Sequence, residues 1–498
     1  MQKSKFYTFY TAFVVALGGF LMGFDASVIS GVIKFVSIEF ELSAVQQGFA
    51  VACLTLTATL AMMLSGPLSD RIGRKKVLVY AALLFFISAV FSALSASYTQ
   101  LVIARMIGGL GVGAALIIPP MYIAEIAPPE MRGRLVSLNQ LNIVIGLSAA
   151  FFTNYLILRL GDSGSEWATA IRLRENNWRW MLSLEAVPAI LYFGLLLFVP
   201  ESPRWLAMQE KGRKTLQVEK TAFSELFKPA IRYVLTIGIV IAVLQQITGI
   251  NAVFFYAPMI FEQTGIGTDA SFANAIVIGL TNLVFTIVAI LFVDKLGRKP
   301  LLSFGLIGIT ASMFLLSACF MNAEYRIDSQ SLTELRKHED FELFQNIQQL
   351  EGTVFTSDVA FKRALAGLAD PSVIRKYEGE ILTSTITINE WLVLIGIIGF
   401  IASFAVSLGP VMWILFSELF PDRLRGIAIS FVGVINSAVS FLVQQLFPWE
   451  LSRIGSSGTY FIYGIFAVAG LVFVWTKLPE TKGKSLEELE ETLTKNRK

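Results

Sequence analysis

The sequence is poor in charged residues. Asp, Glu, Lys and Arg make up only 15% of its 498 residues, whereas soluble domains carry about 25%. Together with 55% hydrophobic residues and a mean hydropathy of +0.65, this shortage excludes a soluble globular protein and indicates an integral membrane protein. The net charge of only +3 gives no reason to expect a nucleic-acid partner.

Histidine and cysteine are also scarce, which limits the chemistry that the chain can perform. The single histidine, His338, has no metal-ligand spacing around it, so we interpret it as a surface residue. Cys53 and Cys319 both fall inside apolar runs, so we expect no disulfide framework. The sequence shows no nucleophile–base pair, metal-ligand spacing or phosphate-binding loop. We therefore expect neither an enzyme nor a bound cofactor.

Long apolar runs are abundant, and each has the length of a membrane-spanning helix, about 20 residues. They predict an all-α integral membrane protein with twelve spans, near 7–33, 46–66, 77–97, 101–124, 136–160, 178–199, 233–260, 272–293, 300–321, 391–416, 426–448 and 459–477. The first run is longer than a signal-peptide core and lacks a small-residue cleavage pattern, so we expect it to be retained as span 1.

The distribution of basic residues predicts the orientation. With both termini in the cytoplasm, 26 of the 40 Lys and Arg lie on cytoplasmic segments and only six in short external loops. Short loops rich in Lys and Arg stay on the cytoplasmic side. We therefore predict a multi-pass protein of the plasma membrane with both termini in the cytoplasm.

Short motifs repeat at matching positions in the two parts of the chain. GPLSDRIGRKK after span 2 matches VDKLGRKP after span 8, EIAPPEMRG after span 4 matches ELFPDRLRG after span 10, and PES after span 6 matches PET after span 12. Such duplication predicts two pseudo-symmetric six-helix bundles, the architecture of a transporter whose site lies between them at mid-membrane. We predict bundles at 1–199 and 229–478, a cytoplasmic helical linker at 200–228, and a cytoplasmic tail at 479–498 with a terminal helix at 486–494.

One segment breaks the repeat. Residues 322–389 form a polar insertion between spans 9 and 10, on the external side. Apolar spacing hints at one amphipathic helix within 332–350, and residues 357–368 predict a second that stops before Pro371. A small folded cap and a loop without function both remain open, and the partner of the insertion is unknown.

Span 7 carries an unusual row of polar side chains in the sequence LQQITGINAVFFYAP, residues 244–258. Unpaired polar groups are costly in hydrocarbon, so these should face protein or water. Gln246 and Asn251 lie about 140° apart on a straight helix, so they can line one cavity only if the helix opens at Gly249. Uncharged amides are suited to binding a neutral polyol. Alternatively, these polar side chains only hold neighbouring membrane helices together.

Three ionisable residues lie inside spans at similar depth: Asp25, Arg105 and Glu185. Mutual pairing is expected because each isolated charge costs about 2.5–3.5 kcal/mol at the middle of a membrane helix. Desolvation favours a protonated carboxyl, whereas a nearby arginine favours the carboxylate. Such a group can couple proton binding to another event, or it can be a static ion pair that holds helices together.

Opposite charges recur at the cytoplasmic turns, and we predict a cytoplasmic gate from them. Ion pairs between the halves would latch the inner side, or the charges would serve only to fix topology. The candidates are Asp70, Arg74, Glu125, Arg132, Asp294, Arg298, Glu418 and Arg425. In span 10, Gly409-Pro410 predicts a kink beside Trp413.

Across nearly its whole length the chain resembles the sugar porter family of the major facilitator superfamily. The resemblance rests on GFDASVISG, GPLSDRIGRKK, RMIGG, PMYIAEIAPPEMRG, PESPRWL, QQITGINAVFFYAP, DKLGRKP, GPVMWILFSELFP and PETKGKSLEE, in this order. It implies sugar contacts at Gln140, Gln245, Gln246, Asn251, Asn282 and Trp413. It also implies that Asp25, Arg105 and Glu185 match the proton-coupling group of bacterial sugar–proton symporters.

The resemblance implies an importer of a monosaccharide, pentose or hexose, driven by protons. Asn436 and Ser437 stand where xylose symporters of this family have an amide and a tryptophan, so the sugar stays unnamed. The linker is also shorter than usual for the family, and the insertion has no counterpart in it. Two alternatives remain open: a facilitative sugar uniporter, although such carriers have an amide in place of Asp25, and a sugar sensor that does not transport.

Overall fold

The computed structural model describes residues 2–128, 131–210, 223–335, 346–368, 371–421 and 424–482. Three predicted segments lie wholly or partly outside these ranges. They are the terminal helix at 486–494, the middle of the linker at 211–222, and residues 336–345 of the first helix predicted in the insertion.

Twelve helices of the described chain are long and apolar enough to cross a membrane, which confirms the predicted fold. Helices 6, 7 and 10 are built of two or three consecutive segments. In chain order, helices 1–12 are Gln2–Glu39, Ala44–Ile72, Arg74–Ala93, Tyr98–Ile126, Arg132–Gly161, Asn177–Ser183 with Ala186–Leu197, Pro229–Ile247 with Ile250–Phe255 and Ala257–Glu262, Gly267–Leu296, Arg298–Met321, Glu390–Val406 with Leu408–Leu419, Arg425–Arg453, and Gly455–Lys477.

The shorter elements lie in the connections. Glu166–Ala170 precedes helix 6, and the linker contains the helix Pro203–Glu210 and the 3₁₀ turn Phe223–Phe227. The insertion contains the helices Ser329–Leu335, Asp358–Ala366 and Pro371–Thr385, a 3₁₀ turn at Gln348–Leu350, and three short strands: β1 Glu324–Arg326, β2 Val354–Phe355 and β3 Ile386–Thr387.

The outward surface of the bundle is strongly apolar. Leu64, Phe198 and Phe304 expose 67%, 76% and 72% of their surface, and similar side chains recur on most of the twelve helices. In water, so much exposed apolar surface would carry a large free-energy cost, and large apolar patches are accordingly rare on soluble monomers. Lipid chains remove that cost, so this belt faces the bilayer.

The two halves meet through equivalent contacts. Helix 2 packs against helix 11, and helix 5 packs against helix 8. In the sequence repeat, helix 2 corresponds to helix 8 and helix 5 to helix 11. The repeat therefore converts one of these contacts into the other. The sequence repeat is therefore also a repeat in space, with the interface between the halves running through the middle of the bundle.

The two ends of the bundle differ. We call the helix ends that adjoin residues 200–228 the linker face, and the opposite ends, which adjoin residues 322–389, the insertion face. At the insertion face the halves touch directly: Lys34 Nζ lies 2.6 Å from Glu262 Oε1, and Gln445 Nε2 donates to the Val45 carbonyl at 2.8 Å. The structure is therefore closed at the insertion face.

The insertion folds around a small apolar core of its own. β1 pairs with both β2 and β3 in an antiparallel sheet. Tyr325, Phe361 and Ile381 are buried against it. The second predicted helix is present as Asp358–Ala366, capped by the Ser357 side chain. The helix at Pro371–Thr385 was not predicted.

Asp358 anchors this small core to helix 12. Its Oδ2 accepts hydrogen bonds from the backbone N–H of Ser456 at 2.8 Å and from the Ser456 hydroxyl at 3.0 Å. Ser456 is the second residue of helix 12, where backbone N–H groups have no partner within the helix. The carboxylate thus binds the start of helix 12 electrostatically as well as by hydrogen bonds.

We expect Asp358→Ala to release the start of helix 12 from the insertion. Loss of a helix-capping carboxylate costs about 1 kcal/mol, and hydrogen exchange should speed up around Ser456. Asp328→Ala is the matched control because Asp328 caps a helix within the insertion, through Ser331 N and Oγ at 2.8 Å. Equal exchange around Ser456 in Asp358→Ala and Asp328→Ala would contradict this anchor.

Candidate functional site

Helix 7 is interrupted at the polar row that the sequence singled out. Its first segment ends at Ile247, and the next begins at Ile250. Between them Gly249 adopts φ +92°, in the left-handed region that favours glycine. A Cβ at this position would collide with the ring of Tyr463 on helix 12. The predicted opening of helix 7 between Gln246 and Asn251 is therefore confirmed.

The break brings together amides that a straight helix would hold apart. Asn251 Nδ2 donates to Gln246 Oε1 at 2.8 Å. Gln246 Nε2 donates to Asn436 Oδ1 on helix 11 at 3.2 Å, and Asn436 Nδ2 donates to Gln245 Oε1 at 2.8 Å. These four side chains form one network, which we call the amide cluster, and Gln245, Gln246 and Asn436 are almost fully buried.

Helix 11 and helix 2 extend the amide cluster with three residues that the sequence analysis missed. Ser440 Oγ accepts from Asn251 Nδ2 at 2.6 Å and from Gln444 Nε2 at 2.8 Å. Thr55 of helix 2 donates to Gln444 Oε1 at 3.0 Å, so the first half also reaches this network. The spacing of Asn436, Ser440 and Gln444, four residues apart on one helix face, was a signal that could have revealed them.

Helix 10 is interrupted just before Gly409-Pro410, as predicted, and it contributes a backbone acceptor. The break lies at Ser407, with φ −123° and ψ −93°, and the second segment begins at Leu408. Proline has no N–H to donate to the carbonyl four residues earlier, at Val406, so a break at this point is the expected effect of Pro410. Gln245 Nε2 donates to the Leu408 carbonyl at 3.1 Å, which ties helix 7 to the break.

The other predicted sugar contacts lie apart from this hydrogen-bond network. Asn282 on helix 8 is buried, and Gln140 on helix 5 is exposed. Trp413 is 42% exposed and stands edge-on to Phe416, with the ring centroids 5.9 Å apart. Among the described residues, no hydrogen bond joins these three side chains to the amide cluster.

The three predicted ionisable residues are buried in the first half, each with only 1% of its surface exposed. Arg105 Nη1 lies 3.5 Å from Asp25 Oδ1, and Arg105 Nη2 donates to the Asp25 carbonyl at 3.4 Å. Glu185 stands between the two segments of helix 6 and interacts electrostatically with both Asp25 and Arg105. The structure therefore brings the three together, and we call them the charged group.

The charged group is incompletely paired. Asp25 Oδ2, Glu185 Oε1 and Arg105 Nε each lack a hydrogen-bond partner among the described residues. Asp25 Oδ2 faces Gly108 on helix 4, where a Cβ would approach it within 2.7 Å. A static clamp would be expected to satisfy such costly buried groups, so this geometry favours a group that exchanges partners or protons.

At the linker face the first half forms a compact charged cluster. Arg74 Nη2 lies 2.8 Å from Asp70 Oδ1 and 3.1 Å from Glu125 Oε1. Ser202 donates to Glu125, and Glu201 Oε1 accepts from the backbone N–H of Arg74 at 2.9 Å. The PES motif of the sequence thus supplies both a cap for helix 3 and a partner for the Glu125 carboxylate.

The second half repeats this cluster almost residue for residue. Arg298 Nη2 lies 2.8 Å from Glu418 Oε1, and Thr481 donates to Glu418 Oε2 at 2.6 Å. Glu480 Oε1 accepts from the backbone N–H of Arg298 at 3.1 Å. Burial alone would raise the pKa of Glu480, but hydrogen bonds from the backbone N–H groups of Lys482, Arg298 and Lys299 hold this pKa below its usual range.

The ion pairs that the structure describes among the predicted gate residues therefore lie within each half. Every ion pair that the structure describes at these repeated turns of the linker face stays on one side of the interface. Arg425 Nε donates to the Phe420 carbonyl at 3.3 Å, within the second half. The side chains of Arg132 and Asp294 lie outside the described part of the structure. A latch between the halves stays a prediction for the state that is closed at this face.

Comparison with known proteins agrees with these features. A family model described as "Sugar (and other) transporter" matches residues 11–331 and 373–493, and so passes over residues 332–372 of the insertion. The chain belongs to the sugar porter family of the major facilitator superfamily. As a sugar porter it has its amide cluster in the second half and its charged group in the first.

Two curated sugar porters are similar over nearly their whole length. The arabinose-proton symporter of Bacillus subtilis is 34% identical, with 95% of this chain and 92% of the relative covered. The D-xylose-proton symporter of Escherichia coli K12 is 32% identical, with 98% and 96% covered. A solved structure of the xylose transporter of E. coli in an inward-open conformation has a TM-score of 0.71 at 30% identity, with 97% and 99% covered.

We expect Gly249→Ala to destabilise this sugar porter and to disrupt the amide cluster. A left-handed alanine costs about 1–3 kcal/mol, and its Cβ would also displace the Tyr463 ring. The temperature of thermal unfolding in detergent should fall. Gly433→Ala on helix 11 is the control, because a Cβ there meets nothing within 4 Å. An unchanged unfolding temperature for Gly249→Ala would show that the break is not a requirement of the fold.

Proposed function

We propose that this sugar porter imports a monosaccharide, a pentose or a hexose, together with protons by alternating access. The observation that carries the proposal is the buried and incompletely paired charged group beside a separate cluster of uncharged amides. Similar relatives are symporters that take arabinose or xylose with protons, and one solved xylose symporter holds a brominated glucose analogue. Their names support the substrate class.

The amide cluster supplies ligands that match the hydroxyls of a sugar. In the structure the Asn251 amide donates hydrogen bonds to Gln246 Oε1 and to Ser440 Oγ. A sugar that enters must replace these hydrogen bonds with its own, and such an exchange is nearly neutral in free energy, about 0.5–1.5 kcal/mol per net bond. Affinity then depends on making several bonds at once, and on stacking of the sugar ring against Trp413.

The charged group supplies the proton site. With both carboxyls ionised, Asp25, Glu185 and Arg105 would carry one uncompensated negative charge in a dry interior, which is strongly unfavourable. One bound proton makes the group neutral. We assign the exchanging proton to Asp25, because Asp25 Oδ1 lies 3.5 Å from Arg105 Nη1 and a proton on Asp25 would therefore weaken this ion pair. Arg105 and Glu185 tune the proton affinity of Asp25.

Coupling requires that proton and sugar each bind one conformation better than another, because a ligand without such a difference shifts no equilibrium. The insertion face is taken as external and the linker face as cytoplasmic, with both termini inside the cell and the protein in the plasma membrane. The excess of Lys and Arg on the linker side supports this orientation. The structure then corresponds to a state that is closed to the outside.

Asp25→Asn should abolish proton-driven accumulation of sugar while leaving sugar exchange in place. The amide keeps the size of the side chain but cannot release a proton at any accessible pH. Uptake into proteoliposomes, with and without an imposed pH gradient, measures this, and counterflow of labelled sugar measures exchange. Asp162→Asn is the control, since Asp162 forms a solvent-exposed pair with Arg174 at 3.3 Å within the first half. Full accumulation by Asp25→Asn would sink the symport proposal and favour a uniporter.

Asn251→Ala should weaken sugar binding at least about tenfold, because a buried polar contact to a ligand is worth about 1.5 kcal/mol or more. Isothermal titration with xylose, arabinose and glucose measures the affinity, and an unchanged unfolding temperature shows that the protein is folded. Asn322→Ala serves as control, since Asn322 is exposed at the end of helix 9. Wild-type affinity in Asn251→Ala would remove helix 7 from the sugar site.

A further inference from the structure

Part of the insertion lies outside the family match. The family model passes over residues 332–372, and the described residues of the insertion, 323–335, 346–368 and 371–388, contain a small apolar core and an anchor on helix 12. We call these described residues the insertion domain. Its position matters because it lies at the face where the two halves touch.

The contact between the halves at this face centres on Lys34, at the outer end of helix 1. Lys34 Nζ donates to Glu262 Oε1 and to Thr268 Oγ1, both at 2.6 Å. Glu262 ends the last segment of helix 7, and Thr268 begins helix 8. A single ammonium of the first half is therefore held by two helices of the second half.

The insertion domain adds a second lysine and a second carboxylate to this contact. Lys362 Nζ lies 2.7 Å from Glu378 Oε1 and donates to Gln263 Oε1 at 2.8 Å. Gln263 directly follows the last segment of helix 7. Lys362 thus joins both long helices of the domain, Asp358–Ala366 and Pro371–Thr385, to the end of the helix that carries the amide cluster.

Glu378 connects this arrangement back to the first half. Partial burial alone would raise the pKa of Glu378, but Lys362, the hydrogen bond from Gln263 and the charge of Lys34 hold this pKa below its usual range. Lys34 Nζ lies 3.7 Å from the position of a Cβ at the neighbouring Gly379. Lys34 therefore pairs with Glu262 of helix 7 and lies close to the part of the insertion domain that carries Glu378.

Close packing also holds the chain that follows helix 7. Gly265 has φ +79°, and a Cβ there would collide with the Ile386 side chain and lie 3.1 Å from the Leu382 carbonyl. The turn between helices 7 and 8 is thus covered by the end of the insertion domain. The domain therefore contacts the outer end of helix 7, beyond the break at Gly249.

We propose that the insertion domain is a working part of the outer gate, in which Lys362 and Glu378 are positioning residues that stabilise the state closed at the insertion face. The proposal rests on alternating access as proposed above. Apart from those to Lys34, the contacts of the domain described so far are all with the second half, so they are kept when the two halves separate. Opening at this face must pull Lys34 away from Glu262, Thr268 and Glu378 together, so the domain favours the closed state by its contacts in that state alone.

The test measures the open population directly and needs no sugar. Spin labels at Ser163→Cys and Ser452→Cys, exposed positions of the first and second halves near the insertion face, report the separation of the halves by electron–electron distance measurement. Cys53 and Cys319 are replaced by Ser in this background. In full-length protein in nanodiscs, Lys362→Met should enlarge the long-distance population about three- to tenfold, the range for loss of a partly exposed charged contact.

Matched controls separate this contact from a general effect of charge. Arg363→Met removes the same charge from the next residue, which is exposed. Glu378→Gln repeats the test without changing side-chain volume, and Glu380→Gln is its control two residues along the same helix. Thermal unfolding confirms that each variant is folded, and Glu378→Gln carries the test if Lys362→Met does not fold.

The outcomes are distinct. A larger open population in Lys362→Met and Glu378→Gln, with wild-type distances in both controls, supports the proposal. Unchanged distances in Lys362→Met and Glu378→Gln overturn it, and equal shifts in the controls overturn it too, because surface charge would then suffice. Failure of symport in the Asp25→Asn experiment leaves this readout intact, so the two proposals can fail separately.

Discussion

A polar group inside a bilayer has no water to bind, and this constraint shapes the interior of the protein. The amides of helices 7 and 11 satisfy it by binding one another, which is possible because helix 7 opens at Gly249 and turns Asn251 back toward Gln246. A straight helix would point one of them at lipid or at apolar neighbours, at a cost of several kcal/mol. Under the proposed function, the same mutual satisfaction suits the binding of a polyol, because these hydrogen bonds can be exchanged for bonds to a sugar with little net cost.

The charged group obeys the constraint only in part. Asp25, Arg105 and Glu185 are as deeply buried as the amides, yet each keeps an unpartnered polar atom. In the amide cluster a neutral ligand can replace a neutral partner, whereas in the proposed mechanism a proton bound to one carboxyl removes the net charge of the charged group. The two sites lie in different halves, and Thr55 of helix 2 links the first half to the amide network through Gln444. Movement of one half against the other therefore changes the surroundings of both sites at once.

The sequence predicted the twelve helices, the break in helix 7 and the meeting of the three charges, because each follows from local pattern and depth in the membrane. It predicted the kink of helix 10 at Gly409-Pro410, and the interruption lies at Ser407, where Pro410 leaves the preceding turn without a hydrogen bond. It missed Ser440 and Gln444 despite their four-residue spacing from Asn436, because only the packing of helix 11 against helix 7 supplies Asn251 as a partner. The linker-face charges show the same limit: spacing indicates that Arg74 and Arg298 need partners, but only the fold decides that Glu125 and Glu418 of the same half provide them.

The two faces of the bundle are held by different kinds of contact, and this difference has a mechanical meaning. At the linker face the clusters around Arg74 and Arg298 are copies of each other, and each stays within one half. Such clusters stiffen the halves and can persist while the halves move. At the insertion face Lys34 of the first half contacts Glu262 and Thr268 of the second half, so these contacts cross the interface. Contacts that break during opening change the relative stability of the closed and open states. An insertion that adds such contacts at this face can therefore shift the equilibrium between these states without altering either binding site.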